Sequence, residues 1–149
     1  MELAEYRFKY KRICAIDEDT KKKVEVFYPY VPCSLASSTK STSTMEALLD
    51  SGCDGVVVPM GIAKYLNLEL KRASPMKVVG SEVPCYTSTL SITVGRAGRY
   101  CGPIKDVEVS VPEDDDTPLI LGRDPFFKLY IITFIEAEQR FEMVPYKKQ

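Results

Sequence analysis

The side chains of this chain best placed to do chemistry are those of Asp50 and Ser51, which precede Gly52 in the run Leu48-Leu49-Asp50-Ser51-Gly52. A carboxylate that leaves a buried strand at a sharp turn is held in one place, and a fixed carboxylate can take a proton from water or deliver one to a leaving group. Composition narrows the chemistry further. The sequence contains no histidine, so Ser-His-Asp and Cys-His arrangements cannot be assembled, and histidine-ligated metal sites are excluded with them. An enzyme built from this chain works with carboxylates, Lys, Tyr, Ser or Cys. Neither a metal nor a cofactor is expected.

Asp-Ser-Gly alone is also a common turn, because the Asp side chain can bond its own backbone in an Asx turn between strands. Its surroundings add to it here. Leu48 and Leu49 precede the turn and Val56, Val57 and Val58 follow it, so Asp50 is carried on core strands rather than on a loose loop. Later in the chain Leu119, Ile120, Leu121 and Gly122 form a second apolar run, followed directly by Arg123 and Asp124. Cys53 reads as a small core residue rather than a nucleophile, since no base stands ready to make it a thiolate.

The elements that must position these groups read as mostly β. YRFKYKRIC and KVEVFYPYV cluster β-favouring residues around the polar turn DEDTKKK, which predicts an N-terminal strand hairpin within residues 1–33. Residues 34–44, SLASSTKSTST, bury almost nothing and predict a surface connection. The core is then expected over 45–149, all within a single domain. In it Ile62, Leu66 and Leu70 have the spacing of a short helix, and MKVVGSEVPCYTSTLSITV and IKDVEVSV predict long strands with a hairpin near Gly80 and Ser81. Asp124 can cap a second helix beginning at Pro125. YIITFIE and RFEMVPY predict a closing hairpin around AEQ, and the whole a closed or partly closed barrel.

With two apolar residues before Asp-Ser-Gly, a β-hairpin in the middle, and an apolar-apolar-Gly-Arg-Asp run later, the chain resembles the retropepsin-like aspartic proteases. The matching segments are LLDSGCDGVVVP, VVGSEV and PLILGRDPF, spread from Met45 to Glu142. The resemblance implies a homodimeric acid-protease half barrel with one or two short helices. Asp50 would be catalytic, with Ser51 hydrogen-bonding across the two-fold axis and Gly52 letting backbone approach the dyad. A flap at Val79, Gly80 and Ser81 would close over an extended peptide. Asp54 and Arg123 would pair to brace the dimer. Cys53 stands where the family has alanine, and Gly80 is the one glycine in the flap.

Aspartic proteolysis needs two carboxylates sharing a proton so that one can activate water. This sequence has one Asp-Ser-Gly, so a second copy of the chain is the direct source of the other carboxylate. The expected function is an aspartic endopeptidase acting on a polypeptide as a homodimer, its closing strands and the N-terminal YRFKY helping to pair the subunits. Two other readings have their own signatures. The same fold without catalysis would be a dimerisation or peptide-binding module. A nucleic-acid-binding barrel is suggested by KYKR, KKK and Tyr6, Phe8 and Tyr10.

Twenty Lys plus Arg against twenty-one Asp plus Glu leave a formal charge of −1, which argues against a nucleic-acid partner. The N-terminus lacks an apolar core of signal-peptide length and no stretch approaches a membrane span, predicting a cytoplasmic protein without a membrane partner. The five cysteines, Cys14, Cys33, Cys53, Cys85 and Cys101, are odd in number and include no C-x-x-C pair. They suggest neither a disulfide framework nor a zinc knuckle.

Overall fold

The structure is a computed structural model describing residues 5–96 and 98–148. Twelve strands dominate it. In chain order they are β1 (Tyr6–Lys9), β2 (Lys11–Ile16), β3 (Lys23–Tyr28), β4 (Tyr30–Ala36), β5 (Met45–Leu49), β6 (Val56–Val57), β7 (Lys71–Val78), β8 (Ser81–Arg96), β9 (Arg99–Pro112), β10 (Ile120–Leu121), β11 (Tyr130–Ile135) and β12 (Arg140–Pro145). A short helix, α1 (Met60–Tyr65), follows β6, and a wide helical turn (Arg123–Phe127) follows β10.

Strands β4, β5, β10, β6, β9 and β8 run side by side, and β4 pairs back onto β8 through Cys33↔Val94 to Ala36↔Ser91, which closes a barrel. Closure leaves the barrel strands themselves without free edges. Its interior is filled by residues such as Val31, Leu35, Ile92, Val109 and Leu121, each with essentially no exposed surface. Strand β7 extends the sheet beyond β8 as the first arm of a long hairpin. Two residues, Val79 and Gly80, make its turn, and Gly80 takes the left-handed φ of +82° that such a tight reversal requires.

The chain ends make a second, three-stranded sheet in the order β1-β12-β11, with Phe8 opposite Phe141 and Phe134 on its other side. Phe141 and Met143 are fully buried and belong to the same apolar cluster as the barrel interior. The terminal sheet is thereby packed onto the barrel instead of standing apart from it.

Several sequence expectations are revised. The N-terminal hairpin exists but spans Lys11–Tyr28 only, with Asp17 accepting the backbone N–H of Asp19 and Thr20 in its turn. Tyr6–Lys9 leaves it for β12, and Tyr30–Ala36 is a barrel strand. Leu35, within the Ser/Thr-rich stretch, is completely buried, because a strand with one inward face tolerates hydroxyls on the other. Helix α1 stops before Leu70, where Asn67 turns left-handed at φ 54°. Asp124 does not cap the second helical turn by its side chain. It is extended (φ −112°, ψ 123°), and its carboxylate accepts a hydrogen bond from Lys128 Nζ at 2.7 Å.

Candidate active site

The acidic turn is built by an insertion. Strands β5 and β6, which flank residues 50–55, do not pair with each other; β10 lies between them, parallel to β5 and antiparallel to β6. The two halves of the sequence pattern are in this way laced together along the backbone. Asp50 N–H donates to Leu121 O at 3.1 Å, Arg123 N–H to Cys53 O at 2.9 Å, and Asp124 N–H to Asp54 O at 2.9 Å. A Cβ on Gly122 would meet Gly55 O at 2.2 Å and Cys53 O at 2.5 Å, closer than any real side chain comes, so glycine is required for the approach. The sequence marks this glycine as the end of an apolar run and as part of the pattern shared with the retropepsin-like proteases, but not the close approach that requires it.

Within the turn, Asp50 Oδ1 accepts the Gly52 N–H at 2.8 Å and Asp50 O accepts the Cys53 N–H at 3.2 Å. The Asx turn and the candidate catalytic turn are one and the same object. Its internal bonds fix the direction of the carboxylate and leave Oδ2 without a partner among the described residues. Asp50 is half-buried, Ser51 and Gly52 are exposed, and a Cβ on Gly52 would press on Asp50 Oδ1 at 3.1 Å. Cys53 is half-buried, and its thiol donates to Gly55 O at 3.3 Å.

Arg123 and Asp54 form an ion pair across the two laced segments. Both side chains are largely exposed, so the pair is worth at most about 1 kcal/mol. Asp50, Ser51, Gly52, Asp54 and Arg123 are brought together; Val79, Gly80 and Ser81 sit at the tip of the β7–β8 hairpin, with Val79 fully exposed. None of these three lines the cavity beside Asp50.

That cavity, about 330 Å³, is a feature the sequence did not announce. Asp50, Ser51 and Leu49 form one side of it; Tyr10, Phe27, Tyr28, Phe134 and Glu136 form much of the rest. Tyr10 ties its wall together, donating its N–H to Gln139 O at 2.7 Å and its hydroxyl to Glu136 Oε2 at 2.8 Å. Burial, reinforced by the Glu136 carboxylate, pushes the Tyr10 phenol up to about 12. The aromatic run in YRFKY was the available signal for Tyr10. Nothing in the local sequence marks Glu136.

Neither a protein-family model nor a curated protein sequence matches this chain. Solved structures do. A retropepsin-like aspartic protease from Rickettsia conorii matches with a TM-score of 0.56, covering 97% of this chain and 96% of its own at 12% identity. The chain has the retropepsin-like fold. EIAV protease, solved with an inhibitor, also matches, with a TM-score of 0.49 and 21% identity over 68% of this chain and 88% of its own. In this retropepsin-like fold the acidic turn lies where β5, β10 and β6 converge. The β7–β8 hairpin is the part that sequence analysis assigned to the flap.

Proposed function

We propose that the chain is one half of a homodimeric aspartic endopeptidase whose catalytic pair is Asp50 and the Asp50 of a second copy. The observation that carries this reading is the Asp50 turn itself. Its carboxylate is fixed by its own backbone, laced to Gly122–Asp124, and open toward a cavity. The fold shared with the Rickettsia protease supports the same reading.

Two such carboxylates facing one another cannot both ionise comfortably, so one keeps a proton. The ionised carboxylate takes a proton from water as its oxygen adds to the peptide carbonyl carbon, and the protonated carboxyl gives its proton to the carbonyl oxygen. Collapse of the tetrahedral adduct breaks the C–N bond: the proton gained from water goes to the leaving nitrogen, and a hydroxyl of the adduct returns its proton to the carboxylate that had protonated the carbonyl oxygen, which restores the singly protonated dyad. The dyad then titrates in two macroscopic steps that belong to the pair, and activity peaks between them. Ser51 would bond across the two-fold axis, the Asp54–Arg123 pair would brace the loops at the interface, and the Val79–Ser81 tip would close over the peptide.

Cleavage of an unfolded protein or peptide library from pH 3 to 7 tests this. The expected result is cleavage that is lost in Asp50→Asn, blocked by a statine-type peptide, and reduced per chain on dilution as the dimer dissociates. A dimer that binds peptides and cleaves none would make the protein a peptide-binding module on the same fold. A monomer that cleaves would refute the shared dyad.

A further inference from the structure

We propose that a gap in the barrel sheet, where the edge of β8 is left uncovered between β4 and β7, is a docking site for an extended, basic segment of a partner polypeptide. The segment would seat its backbone against Thr89 and its lysine or arginine side chains among Glu69, Asp106 and Glu108.

Both β4 and β7 pair with the same edge of β8, and neither reaches Thr89. The last residue of β4 in the ladder is Ala36, opposite Ser91, and the first of β7 is Lys71, opposite Thr87. Beyond Ala36 the chain turns away, with Ser37 N–H donating to Lys40 O. Before Lys71 it comes out of α1 through the left-handed Asn67. Ser88, Thr89 and Leu90 therefore have β9 on one side and no strand on the other.

The alternation of an antiparallel strand decides which backbone groups face the gap. Val58 N–H donates to Ser110 O, so Ser110 faces β6, and its neighbours Val109 and Val111 face β8. Val109 lies opposite Ser88, and Val107 opposite Leu90. Those two residues of β8 thus bond toward β9, and Thr89 turns its N–H and C=O into the gap. Among the described residues no backbone or side-chain group from across the gap reaches them. A strand edge with a free donor and acceptor pair is the feature that an added peptide strand uses.

The gap opens into a cavity of about 680 Å³, room for several residues of an extended chain. None of the residues lining it belongs to the Asp50 turn or to the terminal sheet, so pairing of two subunits through those parts leaves it open. Its charges select the occupant. Glu108 stands directly opposite Thr89 in the ladder. Asp106, at φ 54°, occupies the bulge where the β8–β9 register shifts, and Glu69 comes from the stretch after α1. Against these three carboxylates the lining holds one cation, Lys71, and none of the four is in an ion pair among the described residues. The surplus of negative charge favours a basic strand and repels an acidic one.

The test uses the full chain as Asp50→Asn, so that no peptide is cut, and three labelled peptides: alternating threonine and lysine, alternating threonine and glutamate, and a backbone N-methylated copy of the first. In the free chain the Thr89 amide should exchange with solvent rapidly while those of Ser88 and Leu90 are protected. With the lysine peptide at ten times its Kd, exchange at Thr89 should slow about tenfold. The lysine peptide should bind about tenfold more tightly than the glutamate peptide, and the N-methylated copy should lose the protection of Thr89. Asp106→Asn combined with Glu108→Gln leaves one carboxylate against Lys71 and should bring the lysine-to-glutamate ratio close to one, asparagine being tolerated at the left-handed position. A Thr89 amide already protected in the free chain overturns the docking site. So does equal binding of the two charged peptides, no binding of the lysine peptide at millimolar concentration, or protection that appears at the Asp50 turn or the Val79–Ser81 tip instead. None of these outcomes bears on the protease reading, which stands or falls on cleavage.

Discussion

At Asp50 the chemistry of the side chain and the conformation of the turn are separable. An asparagine can still accept the Gly52 N–H through its amide oxygen, so Asp50→Asn should fold as the wild type does, with a melting temperature changed by no more than about 2 °C, while peptide cleavage disappears. Gly122 behaves in the opposite way. Its added methyl would have to displace the Gly55 and Cys53 carbonyls, so Gly122→Ala should cost about 1–3 kcal/mol or more in denaturant unfolding and distort the acidic turn with it. An unchanged denaturation midpoint would show that the two segments can separate without loss. Tyr10 and Tyr130 set a limit at the alkaline end. Burial raises both phenols, Tyr10 to about 12 and Tyr130 further still, helped by its contact with the Cys101 thiol. A raised value means that the folded state holds the proton longer, so this stabilisation is intact below pH 10 and is lost as pH climbs through the folded values. Absorbance titration should therefore show two tyrosines ionising late, together with unfolding.

Among the elements, the terminal sheet is one whose strength should depend on acidity. Its central strand β12 carries Glu142, whose carboxyl is held below the ordinary range first by hydrogen bonding to Arg140 and then by the charges of Arg140 and Arg7. A lowered value contributes stability above the unfolded value of about 4.3 and loses it as pH falls through the folded one. Glu142→Gln should flatten the acid limb of the stability-against-pH curve, a result read directly from thermal melts at pH 2 to 6. Strand β1 covers one edge of β12 and stacks Phe8 on Phe141 with ring centroids 5.2 Å apart. Removing residues 1–9 should expose that edge and the ring beneath it, and light scattering should report aggregation.

Over the whole molecule, legibility in the sequence followed the range of the interactions. The Asp50 turn and the Gly80 hairpin could be read because each is marked by residue types with narrow uses, a carboxylate between apolar runs and a glycine in a tight reversal; the Asp54–Arg123 pairing was implied by the family resemblance alone. The strand Tyr30–Ala36 was split in the sequence between the end of the N-terminal hairpin and the start of the Ser/Thr-rich connection; Ser34 is tolerated in it because β4 buries Val31, Cys33 and Leu35 toward the barrel. The departure of Tyr6–Lys9 from the N-terminal hairpin, and the placing of Glu136 and Asp50 around one cavity, depend on contacts between segments far apart in the chain, which no local pattern encodes. The same dependence governs the order in which the chain can mature. Strand β10 is the wedge that holds β5 and β6 apart, and it arrives late in synthesis. A growing polypeptide that has not yet emerged to Asp124 has the aspartate but not the backbone partners that hold its turn. Closing so distant a contact is also a slow event for a chain of this topology.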